Sequence, residues 1–171
     1  MPASEISLKE AKQDKLFYVV VNGLVYRKND GRFLLLKRSM REKAHPGKWV
    51  TPGGKMEWGD FDITKPGRMN GDIIDFPGSL EDLLRREARE EAGIEVGDEF
   101  HFINSVTFVR PDGIPVVLIK FAVEYKEGEV VLEEGDFDDY AWANEKEAGE
   151  LDCVGGTCEE IHHATSLLGL A

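Results

Sequence analysis

Three glutamates, Glu87, Glu90 and Glu91, stand at i, i+3 and i+4 in a stretch, 79–92, whose apolar spacing predicts a helix. With Leu80 set at 0° and 100° per residue, Leu83 and Leu84 fall at about 300° and 40° and mark the buried direction. Glu87, Glu90 and Glu91 fall at about 340°, 280° and 20°, and so continue that buried stripe. Asp82, Arg85 and Arg89 lie on the opposite side. Carboxylates at this spacing repel one another, and burying them adds a desolvation cost. Protonation, pairing with cationic side chains, or bound metal ions would offset it. Clustered hard oxygen donors suit Mg²⁺ or Mn²⁺ and not zinc. A charged helix whose last turns reach solvent is the competing reading.

The neighbouring residues favour a built site. Gly53-Gly54 follows a predicted strand and a proline, and lets the backbone approach an ion or phosphate. Arg86 can orient a carboxylate by a bidentate contact. Ser79 is expected to cap the helix, with Asp82 as the capping-box acid, and Gly93 to end it.

The surrounding elements must hold these residues. FYVVVNGLVY (17–26) and RFLLLKR (32–38) read as strands joined at Asn29-Asp30-Gly31, a hairpin. Residues 39–48 read as loop, and 49–51 as a short strand entering the glycines. A polar, Gly/Pro-rich stretch runs to Gly78. Strands follow at 100–110 and 114–125, with shorter ones near 129–132 and 140–142, and a helix from 157 to 168. Residues 1–15 read as a polar N-terminal arm and 16–171 as one domain. A mixed sheet with helices packed on it is expected, an α/β fold.

The spacing then carries a resemblance. Gly54, five residues, Asp60, and later seven residues followed by REAREEAGI (86–94) resemble the signature of the Nudix hydrolases, G-x5-E-x7-REUxEExGU with U a bulky aliphatic residue. Arg86, Glu87, Ala88, Glu90, Glu91, Gly93 and Ile94 match its second half. The resemblance covers about residues 17–168 and implies an α/β/α sandwich with a catalytic helix at about 79–92. Three features depart from the pattern. Asp60 replaces a glutamate, Ala88 is small for its position, and residues 61–78 are inserted between the two halves. Asp75 is an alternative to Asp60. A loop of that length suggests a lid or a subunit contact.

By the resemblance, the reaction is Mg²⁺-dependent hydrolysis of a phosphoanhydride in a nucleoside diphosphate linked to X, with a nucleoside triphosphate first among the substrates. ADP-ribose or a dinucleoside polyphosphate is the nearest alternative. An isopentenyl diphosphate isomerase-like enzyme and a non-catalytic nucleotide-binding module are the others. Glu87, Glu90 and Glu91 are expected to hold metal with the Gly53 carbonyl, and Glu57 as an outer ligand. Arg86 is expected to orient them. A base is expected from EEGDFDDY (133–140), with Glu134 first and Asp138 second. Arg38 and Lys55 are the phosphate candidates. Trp49 and Phe108 could stack a base but read more simply as core. Cys153 and Cys158 with His162-His163 have irregular spacing for zinc.

The formal net charge of −12 argues against nonspecific nucleic-acid or anionic-membrane partners. Even so, residues 27–55 carry nine Lys/Arg against two acids, and residues 124–160 carry fourteen acids against two lysines. No apolar run is long enough to span a bilayer, no secretory signal is visible, and two cysteines make no disulfide framework. A cytoplasmic enzyme with a small nucleotide substrate is expected, with a homodimer left open.

Overall fold

The computed structural model describes residues 1–170. Its strands are β1 (Tyr18–Arg27), β2 (Arg32–Arg38), β3 (Trp49–Val50), β4 (Gly53–Lys55), β5 (Arg68–Asn70) and β6 (Ile73–Asp75), followed after helix α1 (Ser79–Ala92) by β7 (Glu95–Val109), β8 (Pro115–Glu127) and β9 (Phe137–Ala143). Helices α2 (Glu145–Gly149) and α3 (Thr157–Leu168) complete the chain. Short 3₁₀ turns lie at Gln13–Lys15 and Trp58–Asp60.

The main sheet runs β3-β2-β1-β8-β7, with β4 added to β1 and β9 to β2. β1 and β8 are parallel, and their neighbours pair antiparallel, so the sheet is mixed. β5 and β6 form a separate hairpin. The central strands are apolar on both faces because both faces are covered. Val21, Val25, Leu34 and Leu36 pack with Leu83, Leu84 and Ala88 of α1. Leu24, Phe33, Leu35 and Ala122 pack with Ile161 and Ala164 of α3. The result is the expected α/β/α sandwich.

One polar contact ties α3 to the sheet. Lys120 of β8 donates to Glu160 of α3 at 2.6 Å, with both side chains buried. Asn104 of β7 donates to the other oxygen of the same carboxylate at 3.2 Å.

Several expectations change. Ser79 is the first helical residue and not the cap. Gly78 occupies the cap with a φ of 78°, and Ser79 Oγ donates back to the Phe76 carbonyl. Asp82 instead pairs with Arg85 at 2.9 Å. The stretch 129–132 is not a strand. β8 runs on to Glu127, and the chain then turns to meet the free carbonyls at the end of α1. Val131 N–H donates to Ala92 O at 3.0 Å, and Glu133 N–H to Glu91 O at 3.1 Å. Satisfying those helix-end acceptors replaces a ladder partner. β7 begins at Glu95 rather than 100, because register shifts between Val96 and Phe100 let the strand absorb Gly97. The insertion contains the β5–β6 hairpin. Cys153 and Cys158 each donate a thiol to the Ala148 carbonyl at 3.6 Å, and His162 pairs with Glu145 at 2.9 Å, so these residues serve local contacts. No helix among the described residues is long and apolar enough to cross a membrane.

Removing one partner of a buried ion pair strands the other charge. Lys120→Met is therefore expected to lower unfolding stability by about 3–5 kcal/mol, and the double change with Glu160→Met by clearly less. Guanidinium unfolding of the three proteins measures the difference.

Candidate active site

The edge of α1 that meets β4 carries the glutamates. Gly53 and Gly54 pair with Asn22 and Val21 of β1, which holds the glycine strand flat against the helix. A Cβ on Gly54 would sit 2.3 Å from the Glu87 carboxyl carbon, so only glycine permits this approach. The Gly53 N–H donates to Glu91 Oε2 at 2.8 Å. At the far end of the helix Gly93 takes a φ of 67° and closes it as expected.

The angular reading of the helix is right for two glutamates and not for the third. The Glu87 side chain is 12% exposed, but that of Glu90 is 52% exposed. Glu90 lies at the margin of the stripe, where the sheet ends and solvent begins. Glu91 is the most deeply placed, and its carboxyl is pushed up to about 8. Burial is the main cause. The Gly53 amide opposes it, and the charges of Glu87 and Glu133 add to it. Burial also raises Glu87; Arg86 opposes the rise, and Glu90, Asp60 and Glu133 reinforce it.

Arg86 holds the cluster from the outside. Its guanidinium lies 2.9 Å from Glu87, 3.0 Å from Glu90 and 3.3 Å from Asp60. Burial works against its charge, but these carboxylates hold its pKa above the ordinary value. Asp60, which stands where the resembled signature has glutamate, therefore still reaches this arginine despite its shorter side chain. Asp75 does not take its place, since it pairs with Arg68 at 2.8 Å within the hairpin.

The remaining candidates separate. Glu57 and Asp60 cap each other's backbone around the 3₁₀ turn, which commits the Glu57 carboxylate locally. Lys55 is exposed on β4. Arg38, at the end of β2, pairs with Glu42, and its charge reaches Glu91. Its Nε is buried without a hydrogen-bond partner. In the acidic loop it is Glu133, one residue before the expected Glu134, whose charge bears on Glu87 and Glu91. Glu133 is itself raised, first by burial and then by Asp136, Glu90 and Glu42. The sequence did carry a signal for it. Leu132 belongs to the core, and the chain must emerge from that core beside the helix end. Asp138 is exposed on β9. Trp49 is buried at 9% exposure, whereas Phe108 is exposed on β7.

The donor set fits a divalent cation. Glu91 is too deeply buried to ionise easily by itself, and the Gly53 amide and the Glu87 carboxylate lie beside it. Among the described residues no three acidic, histidine or cysteine side chains already converge on one point.

An acidic helix clasped by a glycine strand inside an α/β/α sandwich is the layout of an enzyme that works on phosphoanhydrides. The sequence pattern of the NUDIX domain matches residues 17–65 and 74–156, so the chain belongs to the Nudix family and is a pyrophosphohydrolase. Among curated relatives, nucleoside triphosphatase NudI of Escherichia coli O17:K52:H18 is 27% identical over 136 residues, spanning 72% of this chain and 81% of the relative. NudI of Salmonella agona is 25% identical over 152 residues, spanning 83% and 91%. The fold is similar to the MutT NUDIX hydrolase from Burkholderia pseudomallei, with a TM-score of 0.65 at 21% identity over 88% of this chain and 100% of that one. It is also similar to the NUDIX domain of Shewanella oneidensis NrtR complexed with ADP ribose, with a TM-score of 0.66 at 16% identity over 94% and 96%.

The raised Glu91 carboxyl has a pH consequence. Folding without a divalent ion favours the protonated acid, whose ordinary value is 4.5. That contribution to stability is fully present below about 4.5 and is lost as pH rises through about 8. In chelator, the melting temperature is expected to fall more steeply over this window for the native chain than for Glu91→Gln. Equal slopes in thermal scans would remove Glu91 as the cause.

Proposed function

We propose that this chain is a Mg²⁺-dependent hydrolase that converts a nucleoside triphosphate to the monophosphate and pyrophosphate. The observation that carries the proposal is Glu91, a carboxyl buried against the Gly53 amide beside Glu87, in a place that becomes favourable for its anion when a cation is present. The similarity to nucleoside triphosphatase NudI supports the substrate class.

Glu87, Glu90 and Glu91 would hold the metal. When bound, Mg²⁺ supplies charge to offset the phosphates and makes the attacking water more acidic. The protein's own residues do the rest. Arg86 keeps Glu87 and Glu90 turned toward one another. Arg38 offers its guanidinium to a phosphate oxygen. A carboxylate of the acidic loop takes the proton of the water as its oxygen adds to phosphorus, while the bridging P–O bond breaks and the nucleotide leaves. Glu133 is the better placed base on electrostatic grounds, ahead of Glu134, because its charge already couples to Glu87 and Glu91. A carboxyl with a raised pKa is a more effective base near neutral pH.

Product analysis over a nucleotide panel tests the reading. Monophosphate and pyrophosphate released only with Mg²⁺ is the expected result. Release of monophosphate and ribose phosphate from ADP-ribose, with triphosphates untouched, would replace the substrate. Glu133→Gln is expected to lower kcat by about a hundredfold, and Glu134→Gln by less than about tenfold. The reverse order would return the base to Glu134.

A further inference from the structure

We propose that the N-terminal arm and the β5–β6 hairpin form one strap that positions Asp60 against Arg86 and so loosens that arginine's hold on Glu87 and Glu90, which a divalent cation must displace. The inference rests on the reading of those two glutamates as metal ligands.

The family pattern passes over residues 66–73 and begins only at residue 17. The two segments it omits meet each other in space. An open groove of about 430 Å³ lies between Ile6 of the arm, Ile73 and Ile74 of the hairpin, and Phe61, Ile63 and Phe76 at the hairpin's base. Ile6 is the most sheltered residue of 1–16, where every other residue is exposed. The polar arm thus has a single apolar anchor, and that anchor is aimed at the hairpin.

The hairpin is fastened to the catalytic helix on both sides of its base. Phe61 and Phe76 close the base, with ring centres 5.2 Å apart. Just before Phe61, Asp60 reaches Arg86 at 3.3 Å with one oxygen and accepts the Glu57 N–H at 2.7 Å with the other. Just after Phe76, Ser79 at the start of α1 donates its hydroxyl to the Phe76 carbonyl. Movement of the hairpin therefore moves Asp60 relative to α1.

Asp60 matters because one guanidinium serves three carboxylates. With Asp60 in place, Arg86 divides its charge among Asp60, Glu87 and Glu90, with a hydrogen bond to Glu90. Once Asp60 withdraws, the same donors close on Glu87 and Glu90, and a cation must then compete with Arg86 for those oxygens. Asp60 is in this sense a positioning residue. The arm acts on it from a distance.

The test uses the full chain with Ile6→Asp, Ile74→Asp and both together. These residues lie outside the two sheet-covering cores, and amide exchange in β8 checks that the fold is intact. In metal-free protein, exchange across 61–76 is expected to quicken about tenfold in each single variant, and no further in the double. Calorimetric Mg²⁺ affinity is expected to weaken about fivefold in each, and equally in Asp60→Asn, which leaves exchange around Ile6 unchanged. Unchanged exchange in 61–76, additive effects in the double, or native Mg²⁺ affinity in Asp60→Asn would each overturn the proposal. Native Mg²⁺ affinity in Glu87→Gln would instead overturn the metal-ligand reading, and the exchange result would still report whether the strap exists.

Discussion

The placement of acid on the apolar side of α1 is the constraint around which the rest is arranged. A buried carboxylate is costly, yet Glu91 sits at full depth and Glu87 close to it. Each neighbouring feature can be read as an answer to that cost. Gly53 donates an amide, Gly54 removes the side chain that would collide, and Arg86 brings a positive charge to the rim. The sheet behind must be rigid for this to hold, and both its faces are sealed by apolar layers. Rigidity on the sheet side and charge on the open side together leave the acids poised rather than neutralised.

Much of this was legible in the sequence because it depends on periodicity. The 3.6-residue repeat put Glu87 and Glu91 with Leu80, Leu83 and Leu84, and the strand-rich stretches 17–26 and 32–38 gave the central hairpin. What failed to show was anything decided by tertiary competition. Ser79 has the chemistry of a cap, but the hairpin delivers the Phe76 carbonyl to its hydroxyl, and Gly78 can take the left-handed conformation that the cap here needs. Residues 129–132 have strand composition, but a free carbonyl of α1 claims the Val131 amide. Glu90 shares the spacing of its neighbours and still reaches solvent, since a helical wheel says nothing about where the sheet stops.

The acidic loop illustrates the same limit. A run of like charges offers no sequence-level way to rank its members. Rank comes from the chain path. The amide of Glu133 is spent on Glu91 O, which brings that residue beside the helix, while Glu134 has passed into the turn. The insertion is different again. Its composition signalled a working loop but not its contacts, because those are made with an arm that lies about fifty residues away in sequence and is itself almost wholly polar.

The 3₁₀ turn that carries Asp60 also carries Trp58, whose ring is half exposed at 53%. The other two indoles are placed differently. Trp49 is sealed in the core, and Trp142 lies under the Arg27 guanidinium at 4.5 Å and against Tyr125. Light emitted at long wavelength by this protein therefore comes mainly from one ring, two residues from the carboxylate that touches Arg86. The molecule carries its own optical probe at the junction of strap and helix, with no label required.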